Sequence, residues 1–251
     1  MNIMIFDTET TSLDKPFCYN IGYTIVDTDS YCTLAERDFV CEQVWHNPML
    51  FTTAYYADKR DLYIKAMRQR KTKMDKFGYI CQQMIRDIKN FNVHSAYAYN
   101  SSFDEKVFDF NCEWFKCNNP FDNIPIYDIR GYAHHFICTT DDFKGWCEEH
   151  KAFSDSGNYS TTAENVYRYI TDDITFIEDH TALSDSKIET VILLSSLNRN
   201  AVIGTDYKAF RTIARPQRKT FTVKKNNQIV FTDECDTIRY MKTTNTILLK
   251  G

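Results

Sequence analysis

Asn2 to Phe6 is an uninterrupted apolar, β-prone run that stops at Asp7. Cys18 to Val26 and Cys32 to Val40 are two further β-rich runs, separated by the turn-forming Asp27-Thr28-Asp29-Ser30. Together the three predict an antiparallel meander. From about Asp61 to Asn90 the pattern predicts one long helix. Its second half places Phe77, Ile80, Cys81, Met84, Ile85 and Ile88 on a core-facing stripe. Val93 to Tyr99 alternates as a strand, Phe103 to Phe108 begins a helix, and Ile124 to Ile129 is a short strand. Helical signals continue to about Ile203, with Thr161 or Thr162 as an N-cap before Val166, Tyr169 and Ile170. The order β-β-β-α-β-α-β-α-α predicts an α/β fold: a mixed sheet with helices on its faces.

After about Asp206 the texture changes. Lys219 to Val223, Gln228 to Thr232 and Thr237 to Met241 are short β-like runs, and Lys225-Asn226-Asn227 suits a hairpin turn. The chain therefore divides into a main domain over 1–205 and a small basic β-rich appendage over 206–251. With 251 residues, 43% hydrophobic and 25% charged, it has the composition of a soluble globular protein with a full core. None of its seven glycines forms a phosphate-cradling loop of the dinucleotide-binding or P-loop kind.

No leader-like basic and apolar run precedes Asp7, and no apolar run reaches the length of a membrane span. With nine cysteines, an odd number, the chain reads as cytoplasmic with reduced thiols. Cys112 and Cys117, with Cys138, Cys147 and His150 downstream, are the candidates for zinc, but no C-x-x-C pair is present and buried free cysteine is common. A formal charge of −4 argues against a nucleic-acid partner until its distribution is considered. Residues 207–251 carry +7 and residues 1–206 carry −11, and Lys59 to Lys76 is a second basic stretch. Such segments are often solvated faces, yet they also suit phosphate contacts.

Three acidic strings carry the chemistry. In Phe6-Asp7-Thr8-Glu9-Thr10-Thr11, strand alternation turns Asp7 and Glu9 to one face. Two such acids repel unless a cation with a preference for oxygen ligands sits between them. Ala98-Tyr99-Asn100-Ser101-Ser102-Phe103-Asp104 puts an acid in the first turn of a helix just after a strand, where the dipole tolerates it. Glu178-Asp179-His180-Thr181-Ala182-Leu183-Ser184-Asp185 places His180 and Asp185 five apart at a helix start.

Together these strings resemble the DEDD (DnaQ-like) superfamily of 3′–5′ exonucleases. That family has D-x-E in a first strand, N-x-x-F-D after a later one, and H-x-x-x-x-D. The resemblance covers about residues 1–200, and the matching positions are Asp7, Glu9, Asp104, His180 and Asp185. His180 places it with the DEDDh branch. Tyr169-Ile170-Thr171-Asp172-Asp173 satisfies the alternative DEDDy string, but the His180 string matches over its whole length. Ser12 and Tyr99 depart from a frequent Gly and His at positions that hold no metal in the family.

The resemblance implies an RNase H-like fold with a mixed five-stranded sheet. It implies two divalent cations, Mg²⁺ or Mn²⁺, held by Asp7, Glu9, Asp104 and Asp185, with His180 as general base. The implied substrate is the 3′ end of single-stranded nucleic acid, DNA ahead of RNA, with a non-catalytic binding or polymerase-docking module as the alternative. Proofreading would require a separate DNA polymerase. Candidate nucleic-acid contacts are Thr10, Phe17, Tyr19, Asn100, Phe103, Arg215, Arg218, Lys219 and Lys224.

Overall fold

The computed structural model describes residues 1–54, 57–210 and 212–216, and the backbone of four strands between 219 and 250. Strands β1 (Asn2–Thr10), β2 (Cys18–Asp27) and β3 (Cys32–Cys41) form the antiparallel meander. The Asp27 carboxylate closes its second turn by accepting from the Asp29 amide at 3.1 Å and the Ser30 hydroxyl at 2.8 Å. Two short helices, α1 (Glu42–Trp45) and α2 (Pro48–Phe51), follow. A 3₁₀ turn, Ala57–Lys59, leads into α3 (Arg60–Arg68). Next come β4 (Lys73–Asp75), α4 (Phe77–Asn90), β5 (Val93–Ala98), α5 (Ser101–Phe115) and β6 (Ile126–Asp128). Helix α6 (Ile129–Ala133) runs into a π-helical turn, His134–Cys138, before α7 (Asp141–His150), α8 (Ala163–Thr171) and α9 (Ala182–Leu197).

The sheet has six strands in the order β4-β3-β2-β1-β5-β6, one more than expected. The extra strand interrupts the long helix predicted from Asp61 to Asn90. Residues 68–73 contain no apolar side chain to hold a helix against the core. Arg70 turns left-handed at φ 57°, and the Thr72 hydroxyl donates to the Asp38 carboxylate. Lys73 then pairs in parallel with Phe39 on the sheet edge.

β1 lies between β2 and β5, and Ile3, Met4, Ile5 and Phe6 have no exposed surface. Burial on both faces explains why the run does not alternate. Each such side chain contributes about 1.5–3 kcal/mol of burial. One face is covered by α4 and α5: Phe6 meets Phe108 edge-on at 5.7 Å, and the Tyr23 hydroxyl donates to Asp87 of α4 at 2.9 Å. The other is covered by α9, whose Thr190 hydroxyl lies 2.8 Å from that of Thr24. Thr162 caps α8 as expected, accepting from the Asn165 amide.

Contacts divide the chain into two compact units. The first is Met1–Ala152 with Ser160–Arg211, and the second is Phe153–Tyr159 with Thr212–Gly251. In the second, the segment around Tyr159 bridges to Phe153 and Ile213, and the Arg215 guanidinium stacks 4.1 Å over the Phe153 ring. Its strands β7 (Lys219–Lys225) and β8 (Gln228–Cys235) pair antiparallel, as do β9 (Thr237–Met241) and β10 (Thr246–Lys250). The expected turn at Asn226-Asn227 lies outside the described residues. Among the described residues, no helix is long and apolar enough to cross a membrane.

Candidate active site

β1 delivers Asp7 and Glu9 to the face covered by α9. In the β1–β2 register Asp7 pairs with Gly22 and Glu9 with Asn20. Gly22 has a steric reason to be glycine. A Cβ there would come within 2.0 Å of the Leu183 nitrogen and 2.2 Å of the Ala182 carbonyl carbon. The first turn of α9 therefore lies directly on the strand beside Asp7. Asn20 holds it there: its Oδ1 accepts from the Ala182 amide at 2.8 Å and the Tyr63 hydroxyl at 3.0 Å. Its Nδ2 donates to Asp38 at 2.7 Å and to the Phe39 carbonyl at 2.9 Å. Asp185, one turn into α9, is thereby brought to β1. Carboxylate oxygens of Asp7, Glu9 and Asp185 all lie within 4.8 Å of one another.

Asp104 arrives from the other direction. β5 runs parallel to β1, and the chain leaves it through Asn100, left-handed at φ 66°, into α5. The Asn100 amide donates to Asp128 at 2.8 Å, which fixes that corner. Asp104 is buried in the first turn of α5, where the Thr8 hydroxyl of β1 donates to its Oδ1 at 2.6 Å. Thr8 lies between the two acids of the D-x-E string and points to the opposite face, so one strand end serves both helices.

His180 sits immediately before α9 in a left-handed conformation at φ 51°. Its Nδ1 lies 3.6 Å from Glu178 Oε2, and ligand atoms of Glu178, His180 and Asp185 fall within 4.8 Å of one another. The Lys59 ammonium donates to the Asp179 carbonyl and supplies positive potential near Glu9.

Burial dominates the electrostatics. It pushes Asp185 up to about 9 and Glu9 up to about 8, with neighbouring carboxylates adding to both and Lys59 opposing the rise of Glu9. Asp104 rises to about 7 through burial, against the hydrogen bond from Thr8. Asp7 and Glu178 are raised by the same two causes. Burial and the Lys59 charge lower the His180 imidazole below its usual value.

Such a set holds protons, or a cation, to relieve its repulsion. Asp185 Oδ1 and Glu189 Oε2 are buried with no hydrogen-bond partner. Their oxygens are hard donors that match Mg²⁺ or Mn²⁺. The residues present fit a divalent metal site.

No family model and no curated protein sequence matches the chain. Solved structures do. A 3′-exonuclease described in 3′-end recognition of a histone mRNA stem-loop aligns with a TM-score of 0.53 at 13% identity, over 91% of this chain and 89% of that one. A full-length 3′-exonuclease aligns at 0.51 and 15% identity, over 91% and 66%. The exonuclease of an ExoI/SSB-Ct complex aligns at 0.50 and 13% identity, over 79% of this chain and 41% of that one. The chain thus spans about two fifths of that last protein.

The fold is that of the 3′-exonucleases.

On this exonuclease fold, the structure brings all five expected residues, Asp7, Glu9, Asp104, His180 and Asp185, to one end of β1. Tyr169 lies instead on α8, its ring edge-on to Phe143 at 5.2 Å. Thr10 and Phe103 line a cleft of about 360 Å³ with Glu9 and Leu13. Tyr19, expected to contact nucleic acid, is fully buried against Phe51 and Tyr63 because α2 and α3 close over it. Phe17 is also largely buried, packed edge-on against Phe110 and Trp114, while Trp114 keeps 61% of its surface exposed. Asn100 is exposed at the α5 start. Arg215 is exposed in the second unit, whereas the side chains of Arg218, Lys219 and Lys224 lie outside the described residues.

Three residues near the site were not singled out from sequence. Glu189 follows Asp185 by four positions, so both lie on one side of α9. It is buried, and burial together with Asp104 raises its carboxyl well above the usual range. Glu178 had a signal in its position two before His180. Lys59 had been read only as the start of a basic stretch, and nothing in the sequence linked it to Asp179, 120 residues on.

Proposed function

We propose that the protein is a divalent-metal-dependent 3′–5′ exonuclease that removes nucleoside monophosphates from single-stranded nucleic acid, DNA ahead of RNA. The convergence of Asp7, Glu9 and Asp185 with His180 at one strand end carries the reading. The exonuclease fold supports the nuclease reading, and a neighbour described in recognition of an RNA 3′ end supports action at the 3′ end.

Asp7, Glu9, Asp104 and Asp185 would hold two Mg²⁺ or Mn²⁺ ions. Such ions, when bound, stabilise charge on the attacking and leaving oxygens of an in-line displacement. His180 is neutral near pH 7 because its imidazole is shifted downward, so it is ready to take a proton from the attacking water. Glu178, beside its Nδ1, orients the ring and stabilises the imidazolium that results. Thr8 fixes the rotamer of Asp104. The cleft between Thr8–Leu13 and Phe103 receives the terminal nucleotide. Asn111 of α5 holds the chain where it enters β2, accepting from the Cys18 amide and donating to the Pro16 carbonyl. Residues 1–205 would carry the chemistry, and the basic segment 206–251 would add phosphate contacts.

Digestion of 5′-labelled single-stranded DNA and RNA of one sequence, with free or phosphorylated 3′ ends, tests polarity and substrate together. The expected result is a ladder shortening from the free 3′ hydroxyl, faster on DNA. Internal cleavage of the blocked strands, or no cleavage of any strand, overturns the proposal.

A further inference from the structure

Away from the carboxylates, three thiols converge between α4 and the end of α5. Sulfur atoms of Cys81, Cys112 and Cys117 all lie within 4.8 Å of one another. Cys112 and Cys117 were zinc candidates from sequence, but their partner is Cys81 on α4 rather than Cys138, Cys147 or His150.

The backbone is shaped to bring them together. Helix α5 ends at Lys116, which adopts a left-handed conformation at φ 53°. That conformation costs a non-glycine residue about 1 kcal/mol. The reversal lets the Cys117 amide donate to the Cys112 carbonyl at 3.0 Å and swings Cys117 back over its own helix. On α4, Gly78 precedes Cys81 by one turn, and a Cβ at Gly78 would meet Cys117 Cβ at 3.4 Å. Cys117 therefore packs against the α4 surface one turn from Cys81.

We propose that Cys81, Cys112 and Cys117 form a thiolate site for a thiophilic divalent cation, zinc above all, that clamps α4 to the C-terminal end of α5. Metal–sulfur bonds of about 2.3 Å in a tetrahedron space sulfurs by about 3.8 Å, so the thiols need close by no more than about 1 Å. Cys81 and Cys112 are buried and Cys117 is half-buried, so water reaches the cluster to complete the fourth position. Without metal the neighbouring Cys81 and Cys117 thiols hold that of Cys112 below its usual value. Binding replaces the thiol protons with one cation, and each thiol that ligates releases its proton to solvent. Soft sulfur donors separate this site from the oxygen-lined one, which selects hard ions.

Cobalt(II) added to the reduced, metal-free full-length protein is the direct probe. The expected result is one equivalent bound with a sulfur-to-cobalt charge-transfer band and the visible bands of tetrahedral cobalt, displaced by zinc. Cys117→Ser, at a half-buried position that tolerates serine, should weaken binding by more than the roughly tenfold that loss of an outer partner costs. Asp7→Asn should leave the bands intact. Absence of the charge-transfer band, its survival in Cys117→Ser and Cys112→Ser alike, or a native disulfide among the three cysteines would overturn the proposal. None of these outcomes bears on the exonuclease reading.

Discussion

Asp185 and Glu9 bind protons more tightly in the folded chain than in the unfolded one. Burial raises them to about 9 and about 8, against about 4 for free carboxyls. Between those limits the folded state holds more protons, so without metal its stability falls as pH rises from about 4 to about 9. In EDTA the melting temperature should drop across pH 5 to 9, and Asp185→Asn should flatten that slope. Saturating Mn²⁺ should restore stability to the wild type near pH 8 and much less to Asp185→Asn. A pH-independent melting temperature in EDTA would show that the carboxylates are not crowded as described.

His180 makes an opposite, kinetic prediction. Its imidazole is shifted below 6.5, so the acid limb of the pH–rate profile should lie below pH 6.5. His180→Ala should remove that limb and slow turnover by about 10²–10⁴-fold. Equal rates for His180→Ala and wild type, with a large loss in Tyr169→Phe, would assign the base to Tyr169. The five candidate residues could be picked out by the spacing of three acidic strings, and the structure brings them to one strand end. Glu189, Glu178 and Lys59 could not be picked out, since their roles depend on which face or loop meets the strand end.

At the scale of elements, the site depends on how closely α9 rests on β2. Gly22→Ala forces a Cβ into backbone atoms 2.0–2.4 Å away. It should cost more than about 2 kcal/mol, as overpacking against backbone does, and lower cleavage with it. Gly145→Ala on α7 has nothing within 4 Å and should instead stabilise by up to about 1 kcal/mol. Thermal melts of both variants check the pair, and equal stability would contradict the close seating of α9. The meander, β5 and the α8 cap could be read from β-prone runs, turn residues and capping residues. The break in the 61–90 helix could not. Phe77 to Ile88 carries a clear stripe, whereas residues 68–73 are all polar, and the three-residue strand β4 that begins at Lys73 exists only because the edge of β3 is there to pair with. The burial of Tyr19 was hidden likewise, because the short helices that cover it leave almost no periodic signal.

Across the whole molecule, charge is segregated. Residues 207–251 carry +7 and the rest −11, and the acidic part includes the carboxyls that meet at the end of β1. A substrate as acidic as nucleic acid then needs cations at the site and basic residues elsewhere. Replacing Arg215, Arg218, Lys219 and Lys224 with Gln should weaken oligonucleotide binding and make its salt dependence shallower. Every phosphate that is no longer neutralised by a cationic side chain reduces the slope by roughly 0.7. The rate at saturating substrate should hold. An unchanged slope would place the phosphate-binding residues outside this segment.

The most direct measurement is a time course on 5′-labelled single-stranded DNA with wild type and Asp7→Asn, in Mg²⁺, in Mn²⁺, and in EDTA followed by excess metal. The account predicts stepwise shortening from the 3′ end by wild type with metal, none in EDTA, full recovery on adding metal back, and none from a folded Asp7→Asn. Shortening that persists in EDTA, or in Asp7→Asn, would contradict it.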